Sequence, residues 1–259
     1  MSSSPASLTW AVSDALGMTR RNLLRYVRLP NLLVFSTIQP VMFVLLFTYV
    51  FGGAVRIPSG SYKDFLLPGI LVQTVIFGST QTGVGLADDL SRGMIDRFRS
   101  LPMARSAVLA GRTLSDTCRN VFVVLLMTGV GTLIGFRFHV GFFASIAAMG
   151  IAVLFGLTFS WISALIGMSV RDPEVAQSAG FIWIFPLIFA SSAFVRVQTM
   201  PGWLQSFARV NPITYTVDAI RALSVGGSTF SPLWHSLAWM GGLLAVFIPL
   251  SVARYRRVT

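Results

Sequence analysis

Carboxylates and histidines are the first places to look for chemistry in this chain, and their spacing argues against catalysis. Asp88 and Asp89 are adjacent acids that could hold a divalent cation. Arg92 stands where a DDxxD metal-diphosphate site would have its third acid, and its positive charge opposes metal binding. His139 and His235 lack an HExxH-type partner, so a metal site on either is not predicted. We expect the chain to bind no metal ion.

The cysteine and lysine content removes two further classes of site. Cys118 is the only cysteine, which excludes an intrachain disulfide and a CxxC site. Lys63 is the only lysine and is followed by Asp64, so the GK[ST] ending of a Walker A phosphate loop occurs nowhere in the sequence. The chain is predicted to be non-catalytic, with no cofactor of its own and no ATPase site.

The elements that position these residues are helices with the composition of membrane spans. The 259 residues are 54% hydrophobic and only 11% charged, whereas a soluble domain carries about 25% charged residues. Six stretches lack Asp, Glu, Lys and Arg, and each is near or above the roughly 17–20 residues needed to cross a bilayer. The sequence therefore predicts an all-α integral membrane protein with spans at about 31–53, 65–87, 116–136, 142–170, 175–195 and 232–253.

The segment before the first span mixes apolar and basic residues at helical spacing. Arg20, Arg21, Arg25 and Arg28 alternate with leucines and Val27, and no small-residue cleavage site follows an apolar run. This pattern predicts an amphipathic helix in the membrane interface within 1–30, a solvated tail being the alternative. Residues 1–259 are expected to form a single transmembrane domain, with spans one to five in 31–195, a hairpin in 196–231, and span six with a tail in 232–259.

Polar and aromatic residues inside two predicted spans are candidates for a substrate path. Gln73, Thr80 and Gln81 fall close to one face of the second span, where contact with lipid would be unfavourable. Phe181 and Phe185 belong to an aromatic-rich fifth span. Both groups have an alternative interpretation as packing contacts between helices, so the sequence leaves the two roles open.

Two charged segments interrupt the apolar pattern. In 88–112, a stripe of Leu90, Met94, Phe98 and Leu101 predicts a short surface helix that begins at the two acids and stops at Pro102. Between spans five and six, two short amphipathic helices are predicted on either side of Asn211-Pro212, as a re-entrant or interfacial hairpin. The hairpin residues singled out are Trp203, Asn211, Pro212, Tyr215, Asp218 and Arg221.

The distribution of basic residues predicts the orientation. With six spans both termini lie on one side, and that side would hold fourteen of the twenty basic residues. By the positive-inside rule, the termini and 88–112 are cytoplasmic and the hairpin is external. The net charge of +11 is explained by this orientation and by anionic lipid, so nucleic-acid binding is not predicted.

Three features in order resemble the permease subunits of ABC type-2 exporters of the daunorubicin-resistance type. The first is GMIDRFRSLPMAR at 93–105, a Gly-containing helix that ends in LP and a basic residue. The second is MPGWLQ at 200–205, followed by NPITY at 211–215 and DAIR at 218–221. The third is the order of six spans after an amphipathic N-terminal segment.

The resemblance implies a function and partners. A permease of this kind would lie in the bacterial cytoplasmic membrane, pair with a second permease chain, identical or related, and dock on a separate nucleotide-binding ATPase that holds ATP and Mg. The ATPase would push on the cytoplasmic helix, and an amphipathic drug or lipid would leave between spans two and five, past the hairpin. The residues implied in coupling are Leu90, Met94, Arg97, Phe98, Arg99 and Leu101.

Two other functions compete with this interpretation. An ion-coupled secondary transporter is one, since 85–92 resembles the GxxxDRxGRR loop of major-facilitator proteins at Asp89. Leu90 and Arg92 break that pattern, and no acid lies clearly inside a predicted span, Asp116 and Asp218 being the nearest. A membrane-embedded transferase is the other, and it lacks the acids that would hold its metal.

Overall fold

The computed structural model describes residues 17, 19, 30–50, 52, 61–94 and 105–258, with the backbone alone at 30–36, 105–108 and 258. These residues form α-helices and one 3-10 turn, Val197–Thr199. Four long helices and one shorter helix come first: α1 Pro30–Val50, α2 Tyr62–Ser91, α3 Arg105–Ile134, α4 Phe142–Val170 and α5 Pro173–Phe189. Three more follow: α6 Gly202–Val210, α7 Pro212–Val225 and α8 Phe230–Val258. The all-α prediction is confirmed for the described part of the chain.

Side chains that cap helices fix several of these starts. The Ser61 hydroxyl accepts a hydrogen bond from the Lys63 N–H at the start of α2. The Asp172 carboxylate accepts from the N–H groups of Glu174 and Val175 at 2.9 and 3.0 Å, with Pro173 in the first turn of α5. Each cap satisfies donors that the first helical turn leaves without a partner.

Four helices are long and apolar enough to cross a membrane: Tyr62–Ser91, Leu109–Ile134, Phe142–Val170 and Phe230–Arg257. Thr37–Val50 and α5, the apolar helices of the first and fifth predicted spans, are shorter. The fifth ends at Phe189 and not near residue 195, because the chain turns after Ala190. Only the fourth predicted span coincides with its helix at both ends.

The segment around Asp88 and Asp89 departs from the sequence expectation. These acids lie in the last turn of α2 and do not begin a new helix, because nothing between residues 87 and 91 interrupts the apolar helix. Helix α2 ends where Gly93 adopts a positive φ of 65°. Leu90 consequently belongs to α2. Carboxylates at a helix C-terminus oppose the helix dipole, and nearby arginines compensate for them here.

Helix α2 is the centre of the bundle. It packs against α1, α3, α4, α5 and α7, and most of its side chains are buried. The closest approach is to α4, where the backbones of Gly83 and Gly167 touch and a methyl group on Gly167 would overlap the Gly83 carbonyl. Small residues permit such contact between membrane helices. Helix α2 therefore contacts five of the other seven helices in the described part of the chain.

Candidate functional site: a polar cavity in the helix bundle

A cavity of about 150 Å³ lies among α1, α2, α3 and α5. Its walls combine amides, one guanidinium and phenyl rings, which is unusual for the interior of an apolar helix bundle. The polar side chains are Gln39, Gln73, Thr74, Thr80, Gln81, Arg119, Asn120 and Gln177. The phenyl rings belong to Phe43, Phe77 and Phe181. We call this space the polar cavity.

Arg119 and Asn120 on α3 form its most polar wall. Both are buried, with 5% and 1% of their surface exposed. The Arg119 Nη2 group donates a short hydrogen bond to the Gly78 carbonyl on α2 and a second bond, of 3.3 Å, to Asn120 Oδ1. The second contact identifies the oxygen of the Asn120 amide, so its Nδ2 group is free to donate elsewhere.

Two glycines provide the room for this pair. A methyl group on Gly78 would lie 2.9 Å from Arg119 Nη2 and 2.8 Å from Asn120 Oδ1. A methyl group on Gly156 of α4 would lie 2.7 Å from Asn120 Nδ2 and 3.0 Å from Val75 Cβ. Any larger residue at either position would therefore push the pair toward the cavity.

Polar atoms in the cavity wall lack partners. Among the described residues, Gln73 Oε1 and Asn120 Nδ2 are buried with no hydrogen-bond partner. Buried polar groups in folded proteins are nearly always paired, and leaving one unpaired costs about 1–3 kcal/mol. The cavity therefore presents an acceptor and a donor to whatever occupies it.

Phenyl rings continue the wall from α2 to α5. Phe77 contacts Phe181 at 5.5 Å and Phe185 at 5.4 Å between ring centroids, and Phe181 lies 5.7 Å from Phe185. Phe185 in turn stacks on Phe189 at 5.8 Å. An aromatic surface thus leads away from the polar wall along α5.

The structure brings most of the predicted path residues together. Gln73, Thr80, Gln81 and Phe181 all line the polar cavity, and Phe185 is one ring away. Gln73 and Thr80 are buried whereas Gln81 is exposed, and the Thr80 hydroxyl donates to the Phe77 carbonyl at 2.6 Å.

Sequence reasoning missed the four polar lining residues on α1, α3 and α5, which are Gln39, Arg119, Asn120 and Gln177. The sequence predicted that the third span begins at about residue 116, and Arg119, close to that start, was therefore assigned to the cytoplasmic side. Helix α3 instead begins at Arg105, which places Asp116 and Arg119 well inside it. The signal was available: residues 113, 116 and 120 follow helical spacing and form a polar stripe on an otherwise apolar helix.

A cluster of charges at the end of α2 holds it to α3. Arg112 Nη1 contacts Asp89 Oδ2 at 3.1 Å, and Arg112 Nε lies 3.9 Å from Asp116 Oδ2. The Thr82 hydroxyl donates to the same Asp116 oxygen at 2.5 Å. The sequence predicted Asp116 at the start of a helix, but it is a buried acid well inside a helix long enough to cross a membrane, and these contacts hold it there.

Two of the predicted coupling residues, Leu90 and Met94, follow this cluster along the chain. Leu90 and Met94 are partly buried, and Asp88 pairs with Arg92 at 2.8 Å. The other four, Arg97, Phe98, Arg99 and Leu101, lie outside the described residues, as does the predicted interfacial helix apart from Gly17 and Thr19. Both of these are helical, and the Thr19 hydroxyl donates to the Gly111 carbonyl on α3 at 3.2 Å. In the part of the chain that is described, no three His, Cys, Asp or Glu side chains group as a metal site requires.

A second, largely buried arginine, Arg221 on α7, joins the α6–α7 hairpin to α2. Its Nη1 contacts Asp218 Oδ1 at 2.7 Å, and Nη2 donates to the carbonyls of Phe65 and Ser192 at 3.0 and 2.9 Å. The guanidinium also lies 3.9 Å above the Phe65 ring, and the Ser192 hydroxyl donates to Asp218 at 2.8 Å. This guanidinium has a complete set of partners.

Burial shifts the titration of both members of this pair. It lowers the pKa of Arg221 to about 10, with Asp218 acting in the opposite direction and Arg196 lowering it further. Burial also raises the pKa of the half-exposed Asp218 carboxyl, although Arg221 and Ser192 favour its charged form. A pKa of about 10 leaves Arg221 charged at neutral pH. Removing the Asp218 carboxylate would therefore leave this largely buried cation without a counter-charge.

The remaining hairpin residues divide between anchoring and exposure. Asn211 Nδ2 donates to the carbonyls of Leu187 and Ala190 at the end of α5, and its Oδ1 caps α7, in which Pro212 is the first residue. Trp203 is 75% exposed, whereas Tyr215 stacks on His235 with centroids 4.9 Å apart. The predicted pair of short helices is thus present as α6 and α7. Asn211, between them, binds the end of α5, and Arg221 of α7 binds α2.

Comparison with known proteins agrees with the resemblance noted from the motifs. The sequence profile described as ABC-2 type transporter matches residues 15–224. The daunorubicin resistance ABC transporter permease protein DrrB1 of Streptomyces coeruleorubidus is 38% identical over 97% of this chain and 89% of its own length. The probable doxorubicin resistance ABC transporter permease protein DrrC of Mycobacterium tuberculosis is 27% identical over 96% and 90%. With these relatives and its long apolar helices, the chain is a multi-pass membrane protein that belongs to the ABC-2 type transporter family.

Proposed function

We propose that this chain is the permease subunit of an ATP-driven exporter that moves an amphipathic drug or lipid out across the cytoplasmic membrane. The observation that carries the proposal is the polar cavity, an amide, guanidinium and phenyl surface inside a permease of the ABC-2 type. Amphipathic molecules need both kinds of contact. The two relatives, by their names, act in resistance to daunorubicin and doxorubicin.

Membership of the ABC-2 family implies an ABC ATPase as partner, and ATP and Mg would bind to that subunit. A second permease copy, identical or related, would complete the path. The exposed glutamines at the cavity support this arrangement, because Gln39, Gln81 and Gln177 would face lipid in an isolated chain.

In this proposal α1 and α5 cross the membrane together with the four longer helices. Six crossings put both termini and residues 88–112 in the cytoplasm and the hairpin outside. The basic residues of the two termini support that orientation. The shorter length of α5 is consistent with a crossing that the hairpin completes, since Asn211 binds the last carbonyls of α5.

Helix α2 is the element that would transmit force. Its 30 residues span about 45 Å at 1.5 Å per residue. One end carries Leu90 and the Asp89–Arg112 pair, the middle lines the polar cavity, and the other end binds Arg221 through the Phe65 carbonyl. A push at the cytoplasmic end would therefore reach both the cargo and the hairpin.

The function is tested by reconstitution. The permease would be purified from its native membrane with its co-purifying Walker A protein and placed in liposomes. The cargoes are daunorubicin and two pyrene amphiphiles, pyrenebutyrate and a pyrene-alkyl trimethylammonium. We expect ATP-dependent movement of at least one of them, abolished when the Walker A lysine of the partner is replaced. Movement driven by a proton gradient without ATP would contradict the proposal.

The coupling assignment has its own test. Phe98→Ala and Arg97→Glu should each reduce substrate-stimulated ATPase activity while membrane insertion persists. Arg171→Gln is the matched control, because it removes an exposed charge from the turn between α4 and α5. Normal stimulated turnover in both coupling variants would remove residues 90–101 from the pathway of force.

Ion-coupled transport is the less favoured alternative. It needs a buried acid that takes up and releases a proton during the cycle. Asp116 is the buried acid of α3, but its carboxylate accepts a hydrogen bond from the Thr82 hydroxyl and lies 3.9 Å from Arg112 Nε. These contacts support a structural role for Asp116 in joining α2 to α3.

A further inference from the structure

The charge in the polar cavity has no counter-charge among the described residues. Arg119 makes no ion pair with any described residue, and both of its hydrogen bonds come from Nη2. The nearest acid along the helix, Asp116, is engaged by Thr82 and Arg112. An arginine stays charged in proteins, so the wall of the cavity carries a full positive charge.

Such a charge is unfavourable unless something completes its surroundings. Transfer of an unpaired charge out of water costs far more than transfer of a neutral polar group. Arg119 receives two neutral oxygens, whereas its Nε and Nη1 have no partner among the described residues. The site therefore favours an occupant that brings negative charge.

The unpaired amide atoms match such an occupant. Asn120 Nδ2 is a second donor beside the guanidinium, and it is buried with no hydrogen-bond partner among the residues that the structure describes. Gln73 Oε1 can accept from a hydroxyl or N–H of the same group. A carboxylate or phosphate has the several oxygens needed to bind both donors at once.

The size of the cavity sets how much of a cargo it accepts. Its volume of about 150 Å³ is below the roughly 300–1,000 Å³ of sites that enclose drug-sized molecules. A headgroup fits in this volume and a whole amphiphile does not. The phenyl rings of Phe77 and Phe181 border the same space and continue to Phe185, where an apolar body can lie.

We propose that Arg119 and Asn120 bind the anionic headgroup, a carboxylate or a phosphate, of an amphipathic cargo whose apolar body lies along the phenyl rings of α2 and α5. This inference rests on the proposed export function and specifies its cargo. The anion can come from a soluble amphiphile or from a phospholipid, and the test separates these sources.

The test is a binding measurement that needs no ATP. The permease with its ATPase is placed in phosphatidylcholine nanodiscs, and binding of pyrenebutyrate and of the pyrene-alkyl trimethylammonium is measured, with partition into empty nanodiscs subtracted. The wild type should bind the anion more tightly by about tenfold, the value of one charge-assisted contact. Arg119→Gln should abolish this preference and Arg119→Lys should keep part of it.

Arg137→Gln is the matched control, since it removes an exposed arginine just after the same helix and should leave the preference intact. Adding phosphatidylglycerol to the nanodiscs identifies the source of the bound anion. If phosphatidylglycerol competes with pyrenebutyrate, lipid phosphate enters the site, and if it does not compete, the site takes soluble carboxylates. Both results retain an anion site.

Equal binding of the two probes by the wild type, or tighter binding of the cation, would overturn the proposal without any variant. A preference that persists in Arg119→Gln would overturn the assignment to Arg119. If the proposed export function is wrong, the result is different: no probe moves in an ATP-dependent way, although the wild type still binds the anion more tightly than the cation.

Discussion

Two buried arginines in this permease have opposite surroundings. Arg221 has a carboxylate, two carbonyls and the face of a phenyl ring around its guanidinium. Arg119 has one carbonyl and one amide oxygen, no carboxylate among the described residues, and a cavity beside it. Arg119 is 5% exposed and the Arg221 side chain is 19% exposed, so both are largely hidden from solvent and burial alone does not separate their roles.

The difference lies in what completes each guanidinium. The partners of Arg221 all come from α2, α7 and the turn after α5, so its charge holds the protein together. Among the described residues, only the Nη2 group of Arg119 has hydrogen-bond partners. The unpaired atoms of Gln73 and Asn120 lie in the same wall of the cavity. A buried charge that the protein satisfies is structural, whereas one left open to a cavity is available to a ligand.

The largest effect is expected at the satisfied site. Asp218→Ala should lower the free energy of unfolding by about 3 kcal/mol, the lower end of the range for buried pairs because 38% of the Asp218 side chain is exposed, since it leaves Arg221 without its counter-charge. Asp218→Ala with Arg221→Met should cost less than the sum of the two single changes. Denaturant titration of the four proteins in mixed micelles gives the coupling energy, and simple additivity would mean that the pair is not coupled.

A smaller loss is expected at the hairpin break. Asn211→Ala removes two hydrogen bonds to the end of α5 and the cap of α7, for a loss of about 2–3 kcal/mol. Asn211→Asp is the informative control, since it keeps the acceptor for the Ile213 N–H but donates to neither carbonyl. Its stability in the same titration should fall between wild type and alanine. Equal stability of all three would show that the hairpin is not anchored here.

The smallest stability effect is expected at the glycine behind Asn120. Gly156→Ala should cost about 1–2 kcal/mol through overpacking, and it should weaken binding of the pyrene anion by displacing Asn120 into the cavity. Gly150→Ala on the same helix is the control, because a methyl group there meets nothing within 4 Å. If both alanines leave anion binding unchanged, the position of Asn120 does not matter to the site.

Much of the fold could be predicted from the sequence wherever hydropathy and turn-forming residues indicate the same boundary. The fourth span was predicted to the residue, because charged and turn-forming residues bound a long apolar run at both ends. The break at Asn211-Pro212 was predicted from turn chemistry. The resemblance to ABC-2 permeases, based on motifs in order, is confirmed by the match over 15–224.

The site was only half readable, for a physical reason. Gln73, Thr80, Gln81 and Phe181 could be proposed because they are polar or aromatic within clear spans. Arg119 was assigned to the membrane edge, since charge normally ends a span and its partner on α2 is a backbone carbonyl with no sequence signature. The length of α2 was also missed. The charge of Asp89 near its end is balanced by Arg112, which is 23 residues away in the sequence.

The most direct test of this account compares Arg119→Gln with Arg221→Gln in the reconstituted complex. Both variants remove one buried guanidinium, and each is measured for unfolding free energy and for ATP-dependent uptake of the two pyrene amphiphiles per folded complex. We predict that Arg119→Gln changes stability by no more than about 1 kcal/mol and loses the preference for the anion, whereas Arg221→Gln unfolds far more easily. Equal destabilisation of the two variants, with the anion preference intact in Arg119→Gln, would contradict the account.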